Sequence, residues 1–300
     1  MTRDLNLKIG YLCNNDCLFC AQADNKPLGN PSLESLIIEM TKASAYCDKI
    51  IFTGGEPTIR KDIIDLVKQA KTLGFKRLQL QSNVRNLHVY QYCCDLIEAG
   101  INEFAPSLHG HNQYVHDLHT GRPGSFNETT KALGNLKDLK QYVITNTVIT
   151  SHNYKNLGDI ARLLLSYKVA QVQFAYVHSV GNGRINMEAI APRVTDVLPY
   201  LFSALHTAID SNVKCMAEAF PLCLMGKYRK YCSEYFMPDA EIRDTHYIDP
   251  DYGTTRRTKS KVKPLKCGAC LLNSSCEGAW CEYIAKFGDD ELVPINDHDQ

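Results

Sequence analysis

Apolar positions along the first two thirds of the chain follow two alternating rhythms. Short runs rich in Ile, Leu, Val, Phe and Tyr fall at 5–11, 49–53, 77–82, 102–108, 142–150 and 170–176, with the length and composition of strands. Between them lie amphipathic stretches. Leu33, Leu36, Ile37 and Met40 form an i, i+3, i+4, i+7 stripe that starts after Pro31, with Ser32 placed to cap the helix. The stripe recurs as Ile63, Leu66, Val67 and Ala70, and again as Ile160, Leu163, Leu164 and Tyr167. Gly74 and Gly100 stand where the preceding helices should stop.

Strands that alternate with helices in this way need right-handed crossovers and a mainly parallel sheet. The fold class is therefore α/β. Six units are too few to close an eight-unit barrel, so the expected architecture is a partial (β/α) barrel of about six parallel strands. In such sheets chemistry gathers at the C-terminal ends of the strands. After about residue 211 the alternation is expected to end. The remainder is turn-rich and cysteine-bearing, with a stretch of low order expected at 238–266. The chain thus divides into a barrel domain, 1–211, and a small C-terminal cysteine-rich module, 212–300, with no internal repeat.

Composition narrows the class. The chain has 300 residues, 44% of them hydrophobic, enough for one substantial core and a small appended module. No apolar run is long enough to span a membrane and the N-terminus lacks a signal-peptide core, so a cytoplasmic protein with no membrane partner is expected. Basic and acidic residues balance at 33 each, which gives no reason to expect a nucleic-acid partner. The dense basic run Arg256, Arg257, Lys259, Lys261, Lys263 and Lys266 is expected to be a solvated loop.

Thirteen cysteines change the picture, because cytoplasmic thiols cluster mainly for metals or redox work. Three crowd into Cys13-Asn-Asn-Asp-Cys17-Leu-Phe-Cys20, directly after the first strand. Thiolates at these spacings converge on one metal centre through local turns alone. A structural zinc site wants four ligands, and this segment supplies three. Three thiolates on a four-iron cluster would leave one iron open to a cofactor or substrate. Cys47, Cys93, Cys94, Cys215 and Cys232 are scattered and read as small buried hydrophobes.

The CxxxCxxC segment resembles the signature of the radical S-adenosylmethionine superfamily. Gly54-Gly55-Glu56-Pro57, after the second strand, resembles that family's GGEP turn in residues and position. Two glycines suit close approach of an amino-acid head group, Glu56 offers charge complementarity and Pro57 fixes the exit. By position, Ser82, Asn83 and Ser107 resemble family residues that contact the carboxylate or ribose of S-adenosylmethionine (SAM). The resemblance implies that Cys13, Cys17 and Cys20 hold three irons of a [4Fe-4S] cluster, while SAM chelates the fourth. It further implies reductive cleavage of SAM to a 5′-deoxyadenosyl radical that abstracts a substrate hydrogen, with electrons from a donor such as flavodoxin or ferredoxin.

A second cysteine group, Cys267, Cys270 and Cys276, together with the distant Cys223, resembles the auxiliary-cluster modules called twitch or SPASM domains and implies a second [4Fe-4S] cluster. Cys281 stands as an alternative to one of these ligands, and zinc as an alternative metal. His109, His111, His116 and His178 follow strands but are expected to be structural or solvent-facing, so no catalytic acid or base is named. The expected substrate is a peptide or protein. A small metabolite or nucleoside is the alternative, and a non-catalytic zinc or electron-transfer scaffold the second. The chain departs from the cyclase of molybdenum-cofactor synthesis, because it ends Asn296-Asp-His-Asp-Gln300 without a glycine pair. It also shows no extension before the first strand to serve as a peptide-recognition domain.

Overall fold

The computed structural model describes residues 3–236, 240–244 and 247–296. Pro238, which opens the stretch expected to be of low order, and the C-terminal residues 297–300 lie outside the described residues. β1 (Arg3–Lys8) leads through a cysteine-bearing loop to α1 (Leu33–Ser44), β2 (Cys47–Thr53), α2 (Ile63–Thr72), β3 (Arg77–Ser82), α3 (Tyr90–Ala99) and β4 (Glu103–Pro106). Two helices, α4 (Gln113–Thr120) and α5 (Ser125–Asp138), precede β5 (Ile144–Ile149), α6 (Leu157–Ser166) and β6 (Gln171–Tyr176). Short turns of helix, α7 (Asn182–Ile185) and α8 (Met187–Ile190), lead into α9 (Val194–Asp210) and β7 (Lys214–Glu218). The C-terminal part contributes β8 (Ala240–Arg243), β9 (Ile248–Asp249), α10 (Tyr252–Thr255), β10 (Lys261–Val262), β11 (Ala279–Trp280) and α11 (Cys281–Phe287).

Two sheets, β4-β3-β2-β1-β8-β9 and β5-β6-β7, have every pairing parallel except β8 with β9, and β10 and β11 form a separate antiparallel pair. Single parallel bridges, Phe104 to Val143 and Ser107 to Asn146, join β4 to β5, so the two sheets form one curved wall, a partial barrel. Ser32 caps α1 as expected, its side chain accepting from the Ser35 amide. Outward positions of the strands, among them Leu5, Leu7, Ile50, Phe52, Leu80 and Phe174, are buried against Leu36, Met40, Leu66, Leu96 and Leu164 of the helices. Each such side chain contributes roughly 2 kcal/mol by leaving water.

Two features run beyond what the sequence predicts. The alternation continues past residue 211, because β7 pairs with β6 over Gln171–Lys214 to Ala175–Glu218. Lys214-Cys-Met-Ala-Glu218 contains no β-branched or aromatic residue, so its strand state comes from its place beside β6 rather than from propensity. The described parts of the stretch 238–266, residues 240–244 and 247–266, also hold regular elements that were not expected. Within it β8 adds to the free edge of β1, pairing Asp4 with Ala240 through Leu7 with Arg243, a contact across more than two hundred residues that no local pattern announces.

Candidate active site

The loop after β1 carries Cys13, Cys17 and Cys20 at the C-terminal end of the barrel, and its backbone is fixed from three sides. From the β3 side, Arg85 Nη1 donates to the Asn14 carbonyl at 2.7 Å and Asn83 Nδ2 to Asn14 Oδ1 at 2.7 Å. From α4, the carbonyls of Thr120 and His119 accept from the amides of Asp16 and Leu18 at 2.8 and 3.0 Å. From α7 and its neighbour, Asn182 and Asn186 side chains donate to the carbonyls of Cys17 and Leu18 at 2.9 and 2.8 Å. The loop's polar backbone is thereby satisfied, and the three thiols are left facing a cavity of about 410 Å³. The Asn15 amide donates to Cys13 Sγ at 3.3 Å, the kind of contact that stabilises a thiolate. Burial lifts the Cys13 thiol to about 11 and the Cys17 thiol further, so these two thiols are protonated at neutral pH without a metal and release protons when one binds.

Gly54 and Gly55 line the same cavity. The backbone requires them, since a Cβ at Gly54, with φ +133°, would stand 2.1 Å from the Gly10 carbonyl oxygen, and one at Gly55 would stand 2.2 Å from that of Leu12. Their turn is laced to the cysteine loop, as the Gly55 and Glu56 amides donate to the carbonyls of Gly10 and Leu12 at 2.7 and 2.9 Å. Glu56 does not face the cavity. It is buried and its carboxylate accepts four hydrogen bonds, from the Thr58 amide and hydroxyl at 2.9 and 2.6 Å, from Ser82 Oγ at 2.6 Å and from the Asn83 amide at 2.7 Å. Its carboxyl is raised above the usual range by burial, against the pull of those donors. Glu56 thus braces the turn against the end of β3. Pro57 opens the following helical turn and is buried. Ser82 and Asn83 line the cavity but spend their side chains on this brace and on the cysteine loop. Ser107 also stands at the cavity wall.

Other cavity groups have no signal in local sequence. Tyr11, Asn146, Tyr176, Glu218, Tyr252 and Trp280 join the wall from six separate segments. Their shared mark is a polar or aromatic residue at the C-terminal end of a strand or on the segment that closes over it. Among the described residues Asn146 Oδ1 and Trp280 Nε1 find no hydrogen-bond partner, so two polar atoms stand ready for a ligand. His178 stacks on Trp280 with ring centres 3.9 Å apart, and Lys261 Nζ lies 5.0 Å over the indole. His109 lines the cavity with its Nδ1 accepting from the Val148 amide at 3.2 Å, which places its ring proton on Nε2. His116 is buried and supplies its Nδ1 to the His109 amide at 3.1 Å, while His111 stands outside the cavity wall.

Burial holds the imidazoles of His116, His119 and His178 at about 4. In the unfolded chain they titrate near the ordinary value of about 6.5. The folded state therefore binds fewer protons in this window, and the stability is complete above about pH 6.5 and is lost as pH falls toward 4. We expect melting temperatures to drop steeply over that range, and His116→Gln, which keeps an acceptor for the His109 amide, to remove about one proton from the uptake on unfolding. An unchanged slope in the variant would contradict this assignment.

Cys223, Cys267, Cys270 and Cys276 meet in a second, smaller recess walled by Leu272 and Leu292. The amides of Gly278 and Ile295 donate to Cys276 Sγ and Cys270 Sγ, each at 3.3 Å. Cys281 lies outside this recess and is exposed. Cys47, Cys93, Cys215 and Cys232 are buried in the core, with Cys94 at its margin. Among the described residues, no three His, Cys, Asp or Glu side chains close around a single ion.

The family description Radical SAM superfamily matches residues 7–164. Curated relatives include a probable GTP 3',8-cyclase of Saccharolobus islandicus, 24% identical over 187 residues that cover 61% of this chain and 59% of the relative. Another, of Sulfurisphaera tokodaii, is 26% identical over 194 residues, covering 62% and 59%. The matched part spans about three fifths of these relatives' length. Among solved structures, Streptococcus suis SuiB bound to its precursor peptide SuiA aligns with a TM-score of 0.67 at 16% identity, covering 93% of this chain and 72% of SuiB. SuiB bound to S-adenosylmethionine aligns at 0.64 and 16%, covering 93% and 73%. These likenesses are of fold. No helix among the described residues is long and apolar enough to cross a membrane.

Proposed function

Because the chain belongs to the radical SAM superfamily, whose enzymes use a [4Fe-4S] cluster and SAM, we propose that Cys13, Cys17 and Cys20 hold that cluster and that the enzyme abstracts a hydrogen atom from its substrate in the adjoining cavity. One observation carries this: three thiols on a fixed loop and the Gly54-Gly55 turn face the same space. When bound and reduced, the cluster supplies the electron that splits the sulfonium of SAM, giving a 5′-deoxyadenosyl radical. The chain's own part is placement and shielding. Gly54 and Gly55 present backbone without side-chain bulk to the methionyl end, and the Ser107 hydroxyl at the same wall offers a hydrogen bond. Ser82 and Asn83 serve the same ligand through the wall they form with Glu56 and Pro57. Phe19, Val148 and Tyr176 keep water from the reacting centre.

The second recess supports an auxiliary [4Fe-4S] cluster on Cys223, Cys267, Cys270 and Cys276, and residues 212–300 then serve as the module that carries it beside the barrel of 1–211. A low-potential donor such as flavodoxin or ferredoxin would supply the electrons. For the substrate, SuiB is known bound to a precursor peptide, which favours a peptide or protein. The curated relatives are named for a reaction of GTP, which favours a small molecule. Anaerobic reconstitution tests the chemistry: about eight irons per chain and 5′-deoxyadenosine formation after reduction are expected. Zinc with little iron, or no turnover of SAM, would refute it.

A further inference from the structure

The inward face of the barrel is polar along nearly its whole depth. Asn6 and Lys8 on β1, Lys49 and Thr53 on β2, Gln79 and Gln81 on β3, and Gln171 and Gln173 on β6 alternate with the outward core residues and line a lumen of about 470 Å³. Barrels that are merely structural fill this space with branched aliphatic side chains. Here Ile51, Ile144 and Ile242 are the only branched aliphatics among the described lining residues. The lumen adjoins the thiol-bearing cavity, and Thr53, Gln81, Asn146, Glu218 and Tyr252 belong to both.

The charges in the lumen are paired with one exception. Lys49 lies 3.8 Å from Asp4 and 3.0 Å from Glu103, and Arg256 lies 3.6 Å from Glu218 and 2.6 Å from Glu277. Among the described residues, Lys8 has no carboxylate within ion-pair distance. Asp244 attracts it from farther away and is itself engaged by the Tyr11 hydroxyl and the Tyr247 amide. Burial pulls the Lys8 ammonium below its ordinary range. Asn146 Oδ1, buried at the lumen wall, has no hydrogen-bond partner among the described residues. A half-buried cation facing a buried, unpartnered amide oxygen is a combination that a ligand with both an anionic and a donor group would complete.

We propose that the barrel lumen is the substrate chamber and that Lys8 anchors an anionic group, carboxylate or phosphate, of a compact polar substrate whose other end reaches the radical cavity past Gln81 and Asn146. The inference rests on the radical chemistry assigned to the adjoining cavity. It selects a small anionic molecule over a peptide, because the lumen offers an ammonium and side-chain amides rather than an apolar groove or an open strand edge for a main chain to join.

The test uses the reconstituted enzyme and three probes: inorganic tripolyphosphate, tricarballylate, and GTP as a nucleotide of the kind in the relatives' name. Calorimetric titration should show at least one binding, with affinity reduced about tenfold by Lys8→Gln and restored by Lys8→Arg, the loss expected for one charge-assisted hydrogen bond. Phosphate-only or carboxylate-only binding identifies the anion. Acylation of Lys8 in the unmodified protein, read by peptide mass spectrometry, should slow in the presence of the bound anion, a readout that needs no variant. Failure of all three probes to bind at millimolar concentration, or equal binding by Lys8→Gln, overturns the proposal, as does protection of Lys8 by a neutral peptide alone. 5′-Deoxyadenosine formation in the same preparation reports separately on the cluster, so the two failures are distinguishable.

Discussion

Cys17→Ala is expected to abolish SAM cleavage, with 5′-deoxyadenosine formation falling by at least about a thousandfold, equivalent to roughly 4 kcal/mol of lost barrier reduction. Cys270→Ala should leave uncoupled cleavage detectable. Cys17 is the most strongly desolvated of the first three thiols, and no other cysteine lines that cavity to replace it. The loop cannot readily move one in, since hydrogen bonds from Arg85, Asn182 and Asn186 hold its carbonyls. Cys270 belongs to a recess that shares no described lining residue with the cavity. Its loss should remove about half of the iron while the first site stays filled. Iron content and melting temperature, measured on both variants, separate cluster loss from misfolding. Equal and total loss of cleavage in two folded variants would refute this division of roles.

The contrast between the two cysteine groups also marks what a sequence can disclose. The strands at 49–53, 77–82 and 170–176 were legible because each is a β-rich run between helical stripes, and the structure places β2, β3 and β6 there. Cys13, Cys17 and Cys20 were legible because their spacing is local. β7 was not, because Lys214-Cys-Met-Ala-Glu218 lacks strand formers and gains its partner only after the barrel has curved. The addition of β8 to β1 was hidden by sequence distance. The lumen was legible in principle: Asn6 and Lys8, Gln79 and Gln81, and Gln171 and Gln173 each sit two apart, the period that puts side chains on one face of a strand. Their inward direction follows only from knowing which face the helices cover. Trp280 and Tyr252 reach the cavity from a part of the chain without periodicity, so tertiary structure alone brings them there.

Glu56 is where the chemistry suggested by the sequence and the geometry part most clearly, and it yields the second large effect. A carboxylate beside a ligand ammonium would leave the metal-free protein largely indifferent to its removal. A carboxylate that accepts from the Thr58 amide, the Thr58 and Ser82 hydroxyls and the Asn83 amide would not, because Glu56→Ala strands those buried donors. We expect Glu56→Ala to cost the apo-protein about 3 kcal/mol, lowering its melting temperature by about 5–10 °C. SAM affinity should fall as a consequence, since the same turn sets Gly54 and Gly55 against the cysteine loop. Glu56→Gln, which keeps one acceptor oxygen but turns an NH₂ toward the other donors, should lie between wild type and alanine. An apo-protein that melts normally while SAM binding collapses would show that the side chain meets the ligand's charge instead of bracing the turn.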